Sequence, residues 1–208
     1  MSPAATLEIA PVTPERWPDL AELFATDRES AGCSCMWFRV PPKVFTANGS
    51  DGNRAAMEEI VAADEVPGLL AYEAGRPVGW ISLAPRRQFP RIQTSADGGV
   101  VTEEAVWSVV CFLIAPGRRG EGVASALLSA GVGFAREHGA KVLEAYPIER
   151  DSRISNADAY TGPRSMYERA GFRETGRFDR WAAVPAASGP DAKRLVRPPG
   201  RPVMRLAL

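Results

Sequence analysis

Cysteine occurs three times and histidine once in the 208 residues of this chain. Three cysteines do not make a disulfide framework. Cys33 and Cys35, one residue apart, cannot easily close an unstrained disulfide with each other. A metal site would need further ligands, and Cys111 falls in an apolar strand pattern with no histidine nearby in sequence. The single histidine, His138, precedes Gly139 at an expected helix C-terminus, where it complements the helix dipole and is a poor catalytic group. Net charge is also missing: 25 basic and 25 acidic side chains cancel, with an isoelectric point near 6.6. That removes the electrostatic case for nucleic acid or an anionic membrane as partner. No apolar run is long enough to span a bilayer. Residues Met1 to Val12 lack the charged and apolar regions of a signal peptide, so a cytoplasmic protein is expected. No internal repeat is visible, and one domain over 1–208 is expected, with a mobile Pro/Ala/Gly-rich insertion at about 185–200.

What is present is concentrated between Ile114 and Leu128. An apolar run from Val106 to Ile114 enters Ala-Pro-Gly-Arg-Arg-Gly-Glu-Gly, and an Ala-rich amphipathic segment follows as far as His138. The pattern reads as strand, glycine-bearing loop and helix. Free backbone N–H groups at a helix N-terminus favour anions. Gly120 and Gly122 leave room for a phosphate oxygen to approach the main chain, and Arg118 and Arg119 add positive charge. The stretch therefore reads as a pyrophosphate cradle. A P-loop would end in Gly-Lys-Ser/Thr, and the segment has no lysine. A dinucleotide fingerprint wants three glycines and an acidic residue about 20 positions on; only two glycines fit here, so a Rossmann-type oxidoreductase is the weaker reading.

The cradle resembles the coenzyme A loop of the GNAT superfamily of N-acyltransferases, Arg/Gln-x-x-Gly-x-Gly/Ala, with Arg119, Gly122 and Ala124 in register. A second stretch, Ser165-Met166-Tyr167-Glu168-Arg169-Ala170-Gly171-Phe172, is similar to the closing Tyr-x-x-x-Gly-Phe motif of that family. The resemblance covers about Leu7 to Trp181 plus the last strand. It implies an α/β (α+β) fold: a mixed, mostly antiparallel central sheet, splayed at the CoA-binding strand and flanked by helices.

The remaining pattern supplies the other elements. Strands are expected over Thr6–Val12, Gly68–Glu73, Val78–Ala84, Ala105–Ile114, Val142–Tyr146, from Phe172 through Trp181, and over Pro202–Leu208. A helix opening at Thr13-Pro14, with Thr13 as N-cap, buries Trp17, Leu20, Leu23 and Phe24. A second runs from Asn53 to Ala63 with Met57, Ile60 and Val61 inward, and a long one from Glu121 to His138. Residues Asp27 to Gly52 read as irregular, and Gly75-Arg76-Pro77 as a tight turn. Gly162-Pro163 opens a short helix, with proline at its first position, and Gly171 closes it.

Acyl transfer from a thioester to an amine requires a held carbonyl, an amine that loses its proton, a stabilised oxyanion and a protonated leaving thiolate. The resemblance implies that Phe112, Leu113 and Ile114 offer backbone groups to a pantetheine arm. It implies that Arg119, Gly120, Glu121, Gly122, Val123, Ala124 and Ser125 hold the pyrophosphate. Asn156 stands where relatives contact the pantetheine, at a longer spacing from Tyr167 than usual. Tyr167 is the expected proton donor to the thiolate, with Tyr160 its rival and helix packing its alternative role. Glu103 and Glu104 are base candidates and Glu144 a third, each also readable as a structural carboxylate. Cys33, Cys35, Trp37 and Phe38 read as a soft apolar wall of an acceptor pocket, the alternative for the cysteines being a thiol-based metal or metalloid sensor. The expectation is acetyl transfer from acetyl-CoA to a primary amine, favouring a small molecule, by a monomer or homodimer without a metal. A non-catalytic acyl-CoA-binding or sensing domain is the alternative.

Overall fold

The computed structural model describes residues 7–92, 105–148, 159–178, 184–185, 195–196 and 201–208. A seven-stranded sheet forms its centre, in the order β1-β2-β3-β4-β5-β9-β6. The strands are β1 (Glu8–Pro11), β2 (Gly68–Glu73), β3 (Arg76–Pro85), β4 (Val106–Ile114), β5 (Val142–Ala145), β6 (Arg173–Phe178) and β9 (Arg201–Ala207). Only β4 and β5 run parallel. The mixed, mostly antiparallel sheet with flanking helices is the fold expected above.

Alternation along the strands divides the interior into two faces. On one, Ile81 and Leu83 of β3 and Val109 of β4 pack under Val123, Leu127 and Leu128 of helix α4 (Val123–Glu137). On the other, Leu70, Tyr72 and Trp80 pack under Leu20, Leu23 and Phe24 of α1 (Trp17–Ala25) and Met57 and Val61 of α3 (Pro42–Ala62). The close approach of α4 depends on Gly79. A Cβ there would lie 2.7 Å from Val123 Cγ1 and 3.1 Å from Leu127 Cδ1, so a bare backbone at this point sets the height of the α4 N-terminus over β3.

Three local expectations are corrected. Residues 27–52, read as irregular, are mostly helical. Helix α2 (Arg28–Cys33) is capped by Asp27, whose Oδ1 accepts from Glu29 N–H at 2.9 Å and Ser30 N–H at 3.3 Å. Helix α3 starts at Pro42, with a kink at Gly49 (φ 60°) that joins two helical pieces. Thr13 makes no capping hydrogen bond; a 3-10 turn, Pro14–Arg16, precedes α1. Pro163 is the N-cap of α5 (Arg164–Arg169) rather than its first residue, because its backbone stays extended to bridge with Ile148. In the 185–200 region, two short strands, β7 (Val184–Pro185) and β8 (Leu195–Val196), pair antiparallel.

Candidate active site

Strand β5 accompanies β4 only from Val106 to Val109 and ends at Ala145. Residues Cys111 to Ile114 are paired with β3, and Val110 to Ile114 have no β5 partner, so the sheet opens on that side. An irregularity of register between Ser82 and Leu83, opposite Val110, marks the point of opening. Side chains, not a neighbouring strand, meet the carbonyls that face the gap: Arg119 Nε donates to Ile114 O at 3.2 Å, and Cys111 Sγ lies 3.7 Å from Phe112 O.

The chain leaves β4 through a 3-10 turn, Pro116–Arg118, and enters α4 at Gly122. Gly120 (φ 82°) and Gly122 (φ 86°) are left-handed, a conformation that costs other residues about 1–2 kcal/mol. No atom lies within 4 Å of a Cβ position at either, so the loop faces open space. The first intrahelical hydrogen bond runs from Ala126 N–H to Gly122 O at 3.0 Å. The N–H groups of Val123, Ala124 and Ser125 thus have no intrahelical acceptor and point out of the helix end. Arg118 pairs with Glu73 and, at 2.8 Å, with Glu121. Arg119 Nη2 lies 3.7 Å from Asp27 Oδ2. The acids hold both guanidinium groups beside the loop.

One cavity of about 770 Å³ joins these features. Phe112, Leu113 and Ile114 form one wall; Arg119, Gly120, Gly122, Val123, Ala124 and Ser125 form one end. Glu121 is not on the wall and turns to Arg118 instead. Cys33, Cys35, Trp37 and Phe38 also line the cavity, together with Cys111 of β4. Trp37 is held there by Phe45, edge-on at 5.1 Å, and by the Arg91 guanidinium, 3.9 Å above its ring. Glu103, Glu104 and Asn156 lie outside the described residues.

Tyr167 is fully buried and does not line the cavity; its hydroxyl donates to Thr161 O at 2.8 Å. Burial pushes its phenol well above the usual range. Tyr160, one turn earlier, does line the cavity. Glu144 is buried and lies off the cavity, with Arg205 Nε at 2.6 Å, Arg86 Nε at 3.7 Å and the Tyr146 hydroxyl donating to it. It is a structural carboxylate.

Sequence reasoning missed four contributors to the wall. Asp27 and Ser30 come from α2, whose capping aspartate was a readable helix signal. Arg169 comes from the closing helix α5 and adds a cation at the cavity edge. Cys111 was assigned to β4, but its meeting with Cys33 and Cys35 is a long-range contact.

A sequence profile described as the Acetyltransferase (GNAT) family matches residues 17–172. The chain belongs to the GNAT acetyltransferase family. Solved GNAT structures share its architecture at low identity. The Salmonella typhimurium protein yncA, with its cofactor acetyl-CoA, aligns at 18% identity and TM-score 0.55 over 97% of this chain and 93% of its own. A ribosomal-protein-alanine N-acetyltransferase from Brucella melitensis aligns at 20% identity and TM-score 0.55, over 97% of this chain and 99% of its own. PaiA N-acetyltransferase from Thermoplasma acidophilum, in complex with coenzyme A, aligns at 12% identity and TM-score 0.50, over 98% and 99%. Comparison with curated protein sequences found no match. No helix among the described residues is long and apolar enough to cross a membrane.

Proposed function

We propose that the protein transfers an acetyl group from acetyl-CoA to the primary amine of a small molecule. The carrying observation is the single cavity that joins the unpaired half of β4 to the N-terminus of α4. An extended amide-bearing chain suits the first, and a pyrophosphate suits the second. The Salmonella and Thermoplasma relatives, described with acetyl-CoA and coenzyme A, support this donor. Phe112, Leu113 and Ile114 hold the pantetheine arm by backbone groups, with Asn156 as a further contact. Arg119 and the turn through Ser125 hold the diphosphate. Acetyl-CoA supplies an activated thioester, so no covalent enzyme intermediate is needed.

In this reading the amine loses its proton to Glu103 or Glu104, directly or through water. Thiolate protonation falls to a tyrosine. The Tyr167 hydroxyl must leave Thr161 O to serve, whereas Tyr160 already faces the cavity. The aromatic wall of Trp37 and Phe38 and the balanced net charge favour a small amine over a charged protein tail. A ribosomal alanine N-terminus, the acceptor in the name of the Brucella relative, is the protein acceptor to include as a control.

The test is acetyl-CoA turnover across a panel of amines, with CoA binding measured in parallel by calorimetry. Acceptor-dependent release of CoA is expected for at least one small amine. CoA binding without turnover on any acceptor would favour the sensing-domain alternative, and failure to bind CoA would sink both.

A further inference from the structure

Cys33, Cys35 and Cys111 come from two distant parts of the chain and line the same cavity. Helix α2 ends at Cys33. Ser34 (φ 43°) and Cys35 (φ 54°) then adopt successive left-handed conformations, which non-glycine residues enter at a cost and which cluster at functional sites. The reversal turns Cys35 back onto the sheet. There the Trp80 indole of β3 donates Nε1–H to its sulfur at 3.0 Å. Cys111 and Leu113 share a face of β4 by alternation, and Leu113 pairs with Trp80, so Cys111 packs against the same cluster as Cys35 and Trp80.

The charge balance points the same way. Arg39 is buried, and its Nη1 and Nη2 donate only to neutral acceptors, Gln88 Oε1 and Pro67 O, both at 3.1 Å. Its Nε has no partner. Two acidic groups lie near this buried cation: the Glu65 carboxylate, which accepts from Gln88 Nε2 at 3.3 Å, and the Cys35 sulfur. The Cys111 thiol, against the effect of burial and together with the Trp80 indole and the Arg39 charge, holds Cys35 below the usual thiol range. Burial and the neighbouring Cys35 push Cys33 up to about 12. The three sulfurs therefore differ: the thiolate form is favoured at Cys35 and disfavoured at Cys33 and Cys111. Among the described residues no group of three or more His, Cys, Asp or Glu side chains could hold a metal ion.

We propose that Cys35 and Cys111 are a nucleophile and resolving thiol that exchange with small aliphatic disulfides entering the cavity and end as a Cys35–Cys111 disulfide. Cys35 thiolate attacks one sulfur of the disulfide; that S–S bond breaks, a Cys35 mixed disulfide forms, and one thiolate leaves. Cys111 then attacks the Cys35 sulfur, its proton goes to the second departing thiolate, and the protein disulfide closes. The small disulfide takes up two electrons and becomes one thiol and one thiolate. The product ties the turn after α2 to β4, beside Phe112. This inference does not depend on acyl transfer.

The test treats the full native chain with oxidised glutathione, quenches with acid at intervals, and maps adducts by mass spectrometry. Expected are a transient glutathione adduct on Cys35, then loss of two hydrogen atoms with a Cys35–Cys111 cross-linked peptide. Cys111→Ser is expected to stop at the Cys35 mixed disulfide. Iodoacetamide labelling of Cys35 should keep its half-maximal rate below the free-thiol midpoint of about 8.5. The groups facing this sulfur are Cys33, Cys111, Trp80 and Arg39. A first adduct on Cys33, a link that leaves Cys35 free, or native protein that stays unmodified while its urea-unfolded form reacts would overturn the proposal. The order of adducts in the unsubstituted chain needs no variant to fold.

Discussion

Replacing Gly122 by aspartate separates the anion-binding role of the loop from its structural role. Gly122 is left-handed at φ 86°, and a Cβ built on it meets nothing within 4 Å. The conformational penalty for a residue other than glycine is about 1–2 kcal/mol, and aspartate is among those that tolerate it best. Gly122 is the N-cap of α4, and a side-chain cap gains only a few tenths of a kcal/mol over glycine. A loss of about 1 kcal/mol remains, so the melting temperature should fall by about 2–4 °C. Ligand affinity should respond very differently. A carboxylate about 5 Å from a phosphate charge, at an effective dielectric constant of about 20, repels it by about 3 kcal/mol, roughly a hundredfold or more in Kd. Gly122→Ala carries the backbone penalty without the charge and should lose far less. Calorimetric titration with CoA, beside thermal melts of all three proteins, gives the comparison. If the aspartate variant folds and binds CoA as tightly as the parent, the diphosphate does not sit at this helix end.

Gly79→Ala should force Val123 and Leu127 away from β3, destabilising the fold by about 1–3 kcal/mol in denaturant titrations and weakening CoA binding by tilting the α4 N-terminus. Met57→Ala should cost about 2–5 kcal/mol by the same measurement, since Met57 is wholly buried between α3 and the sheet, and should leave the ratio of kcat to KM unchanged in the folded fraction. With an acceptor in hand, Tyr160→Phe and Tyr167→Phe separate chemistry from support. Loss of the thiolate's proton donor should lower kcat by roughly 10²–10⁴-fold. Loss of the Tyr167 bond to Thr161 O should appear mainly as about 1–2 kcal/mol of stability. Wild-type kcat in both variants would exclude a tyrosine as the acid. Glu144→Gln should destabilise by about 3–5 kcal/mol, because it leaves Arg205 and Arg86 without their buried carboxylate; an unchanged midpoint would refute that role.

Local patterns carried most of the fold. Strands β2 and β4 and helix α4 stand within a few residues of their expected bounds, because alternation, the Pro116 to Gly122 loop and the apolar face of α4 are all local signals. Helix α2 and the first half of α3 escaped because Gly32, Pro41, Gly49 and Gly52 read as breakers. In the fold, Pro41 and Pro42 start a helix, and Gly49 bends one without ending it. The glycine-bearing loop before α4 was legible for the same reason that α4 was. What could not be read was which tyrosine hydroxyl faces the cavity. That depends on the turn Ala159–Thr161 packing beside β4, where Thr161 O accepts a hydrogen bond from the Tyr167 hydroxyl. The meeting of Cys35 with Trp80, Arg39 and Cys111 is set by strand register and by two left-handed residues after α2, and no spacing rule encodes either.

The gap beside Val110 to Ile114 also has a thermodynamic side. A donor lying along those residues would act as a missing strand, so occupancy and folding become linked. A ligand present at about a hundred times its Kd adds about 2.7 kcal/mol to the unfolding free energy, a sizeable fraction of a domain's net stability of about 5–15 kcal/mol. The ligand-free form would then be the less stable one and the more readily cleaved by proteases.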